Sequence, residues 1–121
     1  MAPKDRLSLV FAALADPTRR EILSRLSQGP STVGEIAEPF DLSAPAISQH
    51  LKVLERAGLV TRTVRAQWRT LALQTEPLDD ASAWVEEQRR TWNLRLDALE
   101  QHLATMSRST PTHIDSEEAE R

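Results

Sequence analysis

Apolar residues recur at helical spacing along most of the chain. Leu7, Val10, Phe11 and Leu14 fall at i, i+3, i+4 and i+7, one stripe of a first helix. Asp16-Pro17 then reads as an N-cap followed by proline at the first helical position, and it opens a second helix running to about Gln28. Ile22, Leu23 and Leu26 are its inward residues, and Gly29-Pro30 stops it. Thr32-Val33-Gly34-Glu35 has the form of a capping box, in which the Thr32 hydroxyl and the Glu35 carboxylate satisfy each other's backbone N–H groups. The third helix is short because Pro39 cannot continue it. After Phe40-Asp41-Leu42, Ser43 caps a fourth helix. Ile47, Leu51 and Leu54 give that helix one buried face, and Gly58 is its left-handed terminator.

The period then changes. Leu59–Arg65 and Trp68–Leu73 are β-prone runs separated by Ala66-Gln67, which predicts a two-stranded hairpin. The turn lacks the glycine of a tight loop, so the pattern leaves its register open. A long amphipathic helix is predicted from about Asp79 to Met106, with Trp84, Trp92, Leu96, Leu99, Leu103 and Met106 mostly three or four apart. The run SRSTPTHIDSEEAER holds one large apolar residue, Ile114, and is expected to be disordered. The domain expectation is therefore residues 1–106 as one folded body with terminal dimerisation helices, followed by an acidic tail over 107–121.

Helix, short turn, helix and hairpin, in that order, is the succession of a winged helix-turn-helix. The predicted fold class is mainly α with a small β-hairpin and a long C-terminal helix. That helix would be roughly 42 Å long at ~1.5 Å per residue. The body formed by the preceding residues is too small to cover it, so a second copy of the chain is its natural cover. Leu7, Val10, Phe11, Trp84, Trp92, Leu96, Leu99 and Leu103 are the expected homodimer contacts.

The chain has 121 residues and a net charge of −3, which alone argues weakly against a polyanion partner. The average hides an asymmetry. Residues 1–75 carry ten basic and seven acidic side chains, whereas residues 76–121 carry five basic and eleven acidic. Only the first part, at +3, suits a polyanion. Cysteine is absent, which excludes disulfides, thiolate metal sites and a cysteine nucleophile. No apolar run is long enough to span a membrane, and the first residues do not read as a signal peptide, so the expected location is the cytoplasm with no membrane partner.

In a helix-turn-helix the second helix enters the major groove of double-stranded DNA. The side of the fourth helix opposite Ile47, Leu51 and Leu54 carries Ala44, Pro45, Ser48, Gln49 and Lys52. Small residues at 44 and 45 permit close approach and contact with thymine methyls, Gln49 can pair with adenine, and Ser48 can bond a base edge or a phosphate. Ser43 serves first as a cap and second as a phosphate contact. His50 and Lys52 suit phosphates. The hairpin is expected to bring Arg62, Arg65 and Arg69 together, with Arg65 at the tip reaching a phosphate or a narrow minor groove.

Each of these residues also has a structural reading: Gln49 and Ser48 as solvent-facing positions, His50 as a packed histidine, and the arginines as a solvated strand face. A protein-interaction module is the alternative function, and it predicts that removing Lys52, Arg62 and Arg65 changes nothing. Catalysis finds no support, since no nucleophile–base pair, phosphate loop or paired-carboxylate site is present, and no catalytic residue or cofactor is expected. His102 with Asp97 and Glu100 could supply a metal only across a dimer, because Asp97 and His102 do not share one helical face well; no metal site is assigned.

The segments LADPTRREIL and VGEIAEPFDLSAPAISQHLKVLERAGLV, with the QWR hairpin after them, resemble the ArsR-type (arsenic-repressor-like) transcriptional regulators, and WNLRLDALEQHL resembles that family's dimerisation helix. The resemblance is close over about half the chain, Leu14–Leu73. It implies a homodimeric winged-helix repressor of a palindromic operator, with Ser43–Ala57 as recognition helix and the wing near Arg62–Arg69. Metal sensors of this kind use cysteine pairs near the recognition helix or Asp/His/Glu sets on the last helix. This chain has no cysteine and only His102 on that helix, so it resembles the cysteine-free branch, with an unidentified small-molecule effector left open.

Overall fold

The computed structural model describes residues 5–109. The elements in chain order are α1 (Arg6–Leu14), α2 (Pro17–Leu26), β1 (Ser31–Thr32), α3 (Val33–Ala37), α4 (Ala44–Arg56), β2 (Val60–Arg65), β3 (Trp68–Leu73) and α5 (Glu76–Ser109). They divide into two compact units, one ending at Ala83 and the other beginning at Trp84, where the sequence pattern predicts a single body over residues 1–106.

In the first unit the helix starts are set by side-chain caps. Asp5 accepts from the Ser8 N–H at 2.8 Å. Asp16 accepts from the N–H groups of Thr18 and Arg19 at 2.8 and 3.2 Å. The capping box at α3 is complete: the Thr32 hydroxyl accepts from the Glu35 N–H at 3.1 Å, and Glu35 accepts from the Thr32 N–H at 2.8 Å. Each such cap satisfies donors that a helix cannot satisfy internally. Gly58 ends α4 with φ +78°, as its position predicts.

The α1–α2 corner is closed from the other side. Arg19 Nε and Nη2 donate to the carbonyls of Ala13 and Ala12 at 2.8 and 3.0 Å, and Arg20 Nη1 donates to Leu14 at 2.7 Å. These carbonyls lie at the C-terminal end of α1, where the helix field favours cations.

Three differences from the sequence pattern stand out. The sheet has three strands, not two. Ser31 pairs with Leu71 and Thr32 with Thr70, so the order is β1-β3-β2, all antiparallel. The hairpin has a two-residue loop even without glycine, because Ala66 takes φ +53° and Arg65 pairs directly with Trp68. Finally, α5 starts earlier and ends later than predicted. Pro77 sits in its first turn, where its missing N–H has no helical partner to lose. Ser107, Arg108 and Ser109 are helical, where disorder was expected; the rest of the expected tail lies outside the described residues.

The core of the first unit gathers Val10 from α1, Ile22 and Leu26 from α2, Ile36 from α3, Ile47, Leu51 and Leu54 from α4, and Leu59, Val60 and Leu71 from the strand region. Val10 is therefore corrected from a dimer contact to a core residue: it is 0% exposed, because the buried side of α1 is the Val10/Ala13 edge of its stripe. Arg6 at the start of α1 pairs with Glu76 and Asp80 on the first turns of α5, at 3.5 and 3.7 Å.

The second unit is the remainder of α5. Its ion pairs, Arg89–Glu86 at 3.4 Å and Arg90–Glu87 at 2.9 Å, are exposed pairs of neighbouring turns that contribute little to stability. Its apolar residues are all exposed: Trp92 at 61%, Leu96 at 42%, Leu99 at 52% and Leu103 at 54%. Among the described residues, no helix is long and apolar enough to cross a membrane.

Candidate nucleic-acid interface

α4 presents two chemically different sides. Ile47, Leu51 and Leu54 are buried, and Ala44, Pro45, Gln49 and Lys52 are exposed on the other side. The register of α4 is fixed by the burial of its apolar stripe, so the same packing that holds the helix determines which residues face outward. Ser43 is the N-cap, its hydroxyl accepting from the Ala46 N–H at 3.3 Å. Proline in the first turn loses no helical hydrogen bond, and with Ala44 it keeps this end of α4 slim. Ser48 is partly buried. Gln49 and Lys52 make no hydrogen bond or ion pair within the described residues, so their polar ends are available to a ligand.

His50 stands apart from these. It is half-buried, with Nδ1 3.2 Å from Arg19 Nη1 and 4.0 Å from Asp16 Oδ2. Arg19 can only donate, so this contact makes Nδ1 the acceptor. Burial pushes the Asp16 carboxyl up, but the Arg19 and Thr18 N–H groups, with the neighbouring His50 and Arg19 side chains, outweigh it and hold it below the usual carboxylate range. The cap of α2, the closing arginine of α1 and a residue of α4 thus form one polar cluster. Sequence spacing gave no sign of it, because the participants are about 31 residues apart.

The hairpin corrects the expectation that its three arginines come together. In the antiparallel register Arg62 faces Leu71, Val64 faces Arg69, and Arg65 faces Trp68. Opposed residues share a sheet face and successive residues alternate. Arg62 and Arg69 therefore lie on the face of buried Leu71, and Arg65 lies on the other face with Trp68. Arg62 is also committed internally: its Nη2 donates to Glu55 of α4 at 2.9 Å, and its Nε is buried with no acceptor among the described residues. Arg65 and Arg69 are exposed and have no carboxylate partner among the described residues. Leu42, which the sequence pattern did not single out, is an exposed large apolar residue just before α4.

A groove of about 370 Å³ runs between α3, the start of α4 and the inner face of β2–β3, lined in part by Gly34, Ala37, Ile47, Ser48, Arg62 and Arg69. On α5, Asp97, Glu100 and His102 do not converge: no three His, Asp or Glu side chains among the described residues are placed to hold a metal ion.

A capped helix packed by one face, its polar side outward, beside a β-hairpin with unpaired arginines, defines a DNA-binding transcriptional regulator of the winged helix-turn-helix class. The family described as "Bacterial regulatory protein, arsR family" matches residues 16–62, from the α2 cap to β2. The transcriptional repressor SdpR of Bacillus subtilis (strain 168) is 42% identical over 76 residues, which span 63% of this chain and 84% of that protein. A solved ArsR family transcriptional regulator is similar with a TM-score of 0.71 at 43% identity, covering 74% of this chain and 98% of the other. An ArsR-like transcriptional regulator from Rhodococcus sp. RHA1 also has a TM-score of 0.71, at 31% identity over 79% of this chain and 91% of the other. The chain belongs to the ArsR family. Its relatives are named as regulators, in keeping with the absence of any expected catalytic role.

Proposed function

We propose that the protein is a homodimeric, sequence-specific repressor of a palindromic operator. In this reading α4 lies in the major groove and β2–β3 acts as the wing. The observation that carries it is the outward side of α4: Ala44, Pro45, Gln49 and Lys52 are exposed together on a helix whose opposite face is locked into the core. Gln49 reads a base edge, Ala44 and Pro45 contact thymine methyls, and Ser43, Ser48 and Lys52 position the phosphates. Arg65 and Arg69 contact the backbone beside the groove from opposite faces of the wing. Arg62 and His50 support this surface through Glu55 and the Asp16–Arg19 pair before they contribute any phosphate contact.

The dimer follows from the second unit. Trp92, Leu96, Leu99 and Leu103 alternate steps of four and three, so that 92/99 and 96/103 each repeat at seven residues, the spacing of a seam that pairs with another helix. Large apolar side chains left this exposed along one helix mark an interface. Leu7 and Phe11 of α1, with Trp84, are the further apolar contacts assigned to the partner. Repression matches the name of the SdpR relative. Binding of duplex DNA should weaken as salt rises, because phosphate contacts release counterions. Titrations of a duplex by the wild type and by Gln49→Ala and Arg65→Ala test the reading surface. Unchanged binding by both variants would overturn it.

A further inference from the structure

The groove between α3, α4 and the hairpin has a composition that DNA phosphates do not account for. Its accessible apolar lining is Val33, Ala37 and Ala44, with Ile47 and Leu51 buried beneath. Its polar groups are the Ser48 hydroxyl and the two arginines on the inner sheet face, Arg62 and Arg69. Glu55 neutralises Arg62 at 2.9 Å, whereas Arg69 has no carboxylate partner among the described residues. The site therefore carries one uncompensated positive charge beside an apolar trough. Its volume of about 370 Å³ falls within the range of small-ligand sites. A phosphodiester would satisfy the charge and leave the trough in contact with water. An apolar tail ending in a single anionic group would cover both.

We propose that this groove binds an amphipathic monoanion, a medium-chain carboxylate or a molecule of that chemistry, with its head group at Arg69 and Ser48 and its tail over Val33, Ala37 and Ala44. Ser48 and Arg69 are also residues assigned to DNA. Ligand and duplex then compete for the same atoms, and the ligand acts as an inducer by occupying the reading surface. Linkage makes the competition reciprocal: duplex weakens ligand binding by the factor by which ligand weakens duplex binding. The competition rests on the DNA-reading assignment above; the ligand site does not.

The test uses octanoate as the probe, titrated into the full-length protein by calorimetry without DNA, with octanol as its uncharged counterpart. Gly34 supplies the blocking variant. It lines the groove, a Cβ there meets nothing within 4 Å, and it does not have a left-handed φ. Gly34→Leu therefore adds apolar bulk at the edge of the groove without a backbone or Cβ clash. The expected results are saturable octanoate binding, and a loss of roughly tenfold or more both for octanol and for Arg69→Gln, the scale of one charge-assisted hydrogen bond. Gly34→Leu should abolish binding while its thermal transition stays cooperative. Arg69 is exposed, so its variant keeps the test decisive if Gly34→Leu fails to fold. No saturable octanoate binding, equal affinity for octanol, or undiminished binding by the folded blocking variant would overturn the site. Octanoate binding that a duplex does not weaken, with Gly34→Leu and Arg69→Gln behaving as expected, would overturn the induction mechanism and leave the ligand site standing.

Discussion

Arg19 links three parts of the fold. It supplies donors to the C-terminal carbonyls of α1 and to the ring of His50 on α4, while its own backbone N–H is held by Asp16. Replacing it with methionine keeps the stem and removes the donors from partly buried acceptors, which costs about 1–3 kcal/mol per unsatisfied group. Urea unfolding of Arg19→Met should show a loss of that order, and a loss below about 0.5 kcal/mol would mean that water replaces the arginine. Asp16 gives a pH signature. Its folded pKa is depressed, so the native state binds fewer protons than the unfolded chain near its ordinary value of 3.8. The stabilisation is present above that value and is lost as pH falls through the folded pKa. Asp16→Asn keeps a capping oxygen and cannot titrate, so its acid-unfolding limb should be flatter than that of wild type; an identical limb would contradict the assignment. Asp5 and Glu35 are depressed for a similar reason, each accepting hydrogen bonds at a helix N-terminus, so acid sensitivity is shared among the three caps.

At the scale of elements, the starts of α2, α3 and α4 and the end of α4 were legible because cap chemistry is local: Asp16, Thr32, Ser43 and Gly58 each act within a few residues of themselves. Strand β1 was not legible, because two residues have no period and its partner lies about 40 positions away. The outward side of α4 followed from the Ile47/Leu51/Leu54 stripe, so the candidate base-contacting residues could be read from the pattern. The division of the wing arginines between two faces could not, because it depends on the hairpin register, which Ala66 sets through a conformation its side chain disfavours. A left-handed non-glycine residue costs about 1–2 kcal/mol, and glycine in its place costs part of that in unfolded-state entropy. Ala66→Gly should therefore raise stability by up to ~1 kcal/mol with the wing register unchanged. Destabilisation in urea would contradict the strained turn. The exposed seam of α5 makes the complementary prediction. Leu99→Asp places a charge in the middle of the seam and should shift the dimer towards monomer by sedimentation while the first unit keeps its thermal transition; a variant that stays dimeric would place the interface elsewhere.

For the whole molecule, the proposed function depends on pairing two copies of a surface that the monomer already presents. A two-fold axis would set two α4 helices about one DNA turn apart, ~34–36 Å, on one side of the duplex. Each copy then adds the same base contacts and phosphate contacts, so specificity and salt dependence both double with dimerisation. The acidic balance of residues 76–121 disfavours a place beside phosphates for that part of the chain, whereas residues 1–75, which hold α4 and the wing, carry a net of +3. A mutation in α5 would then weaken operator binding without touching any DNA-facing residue.

Selection from a random duplex library with the purified full-length protein, followed by hydroxyl-radical footprinting of the enriched sites, tests this arrangement most directly. The account predicts an inverted repeat whose half-sites are centred about one helical turn apart, ~10 base pairs, with one position per half-site relaxed in the Gln49→Ala protein. Enrichment of a single asymmetric half-site, or no enrichment over the starting library, would contradict it.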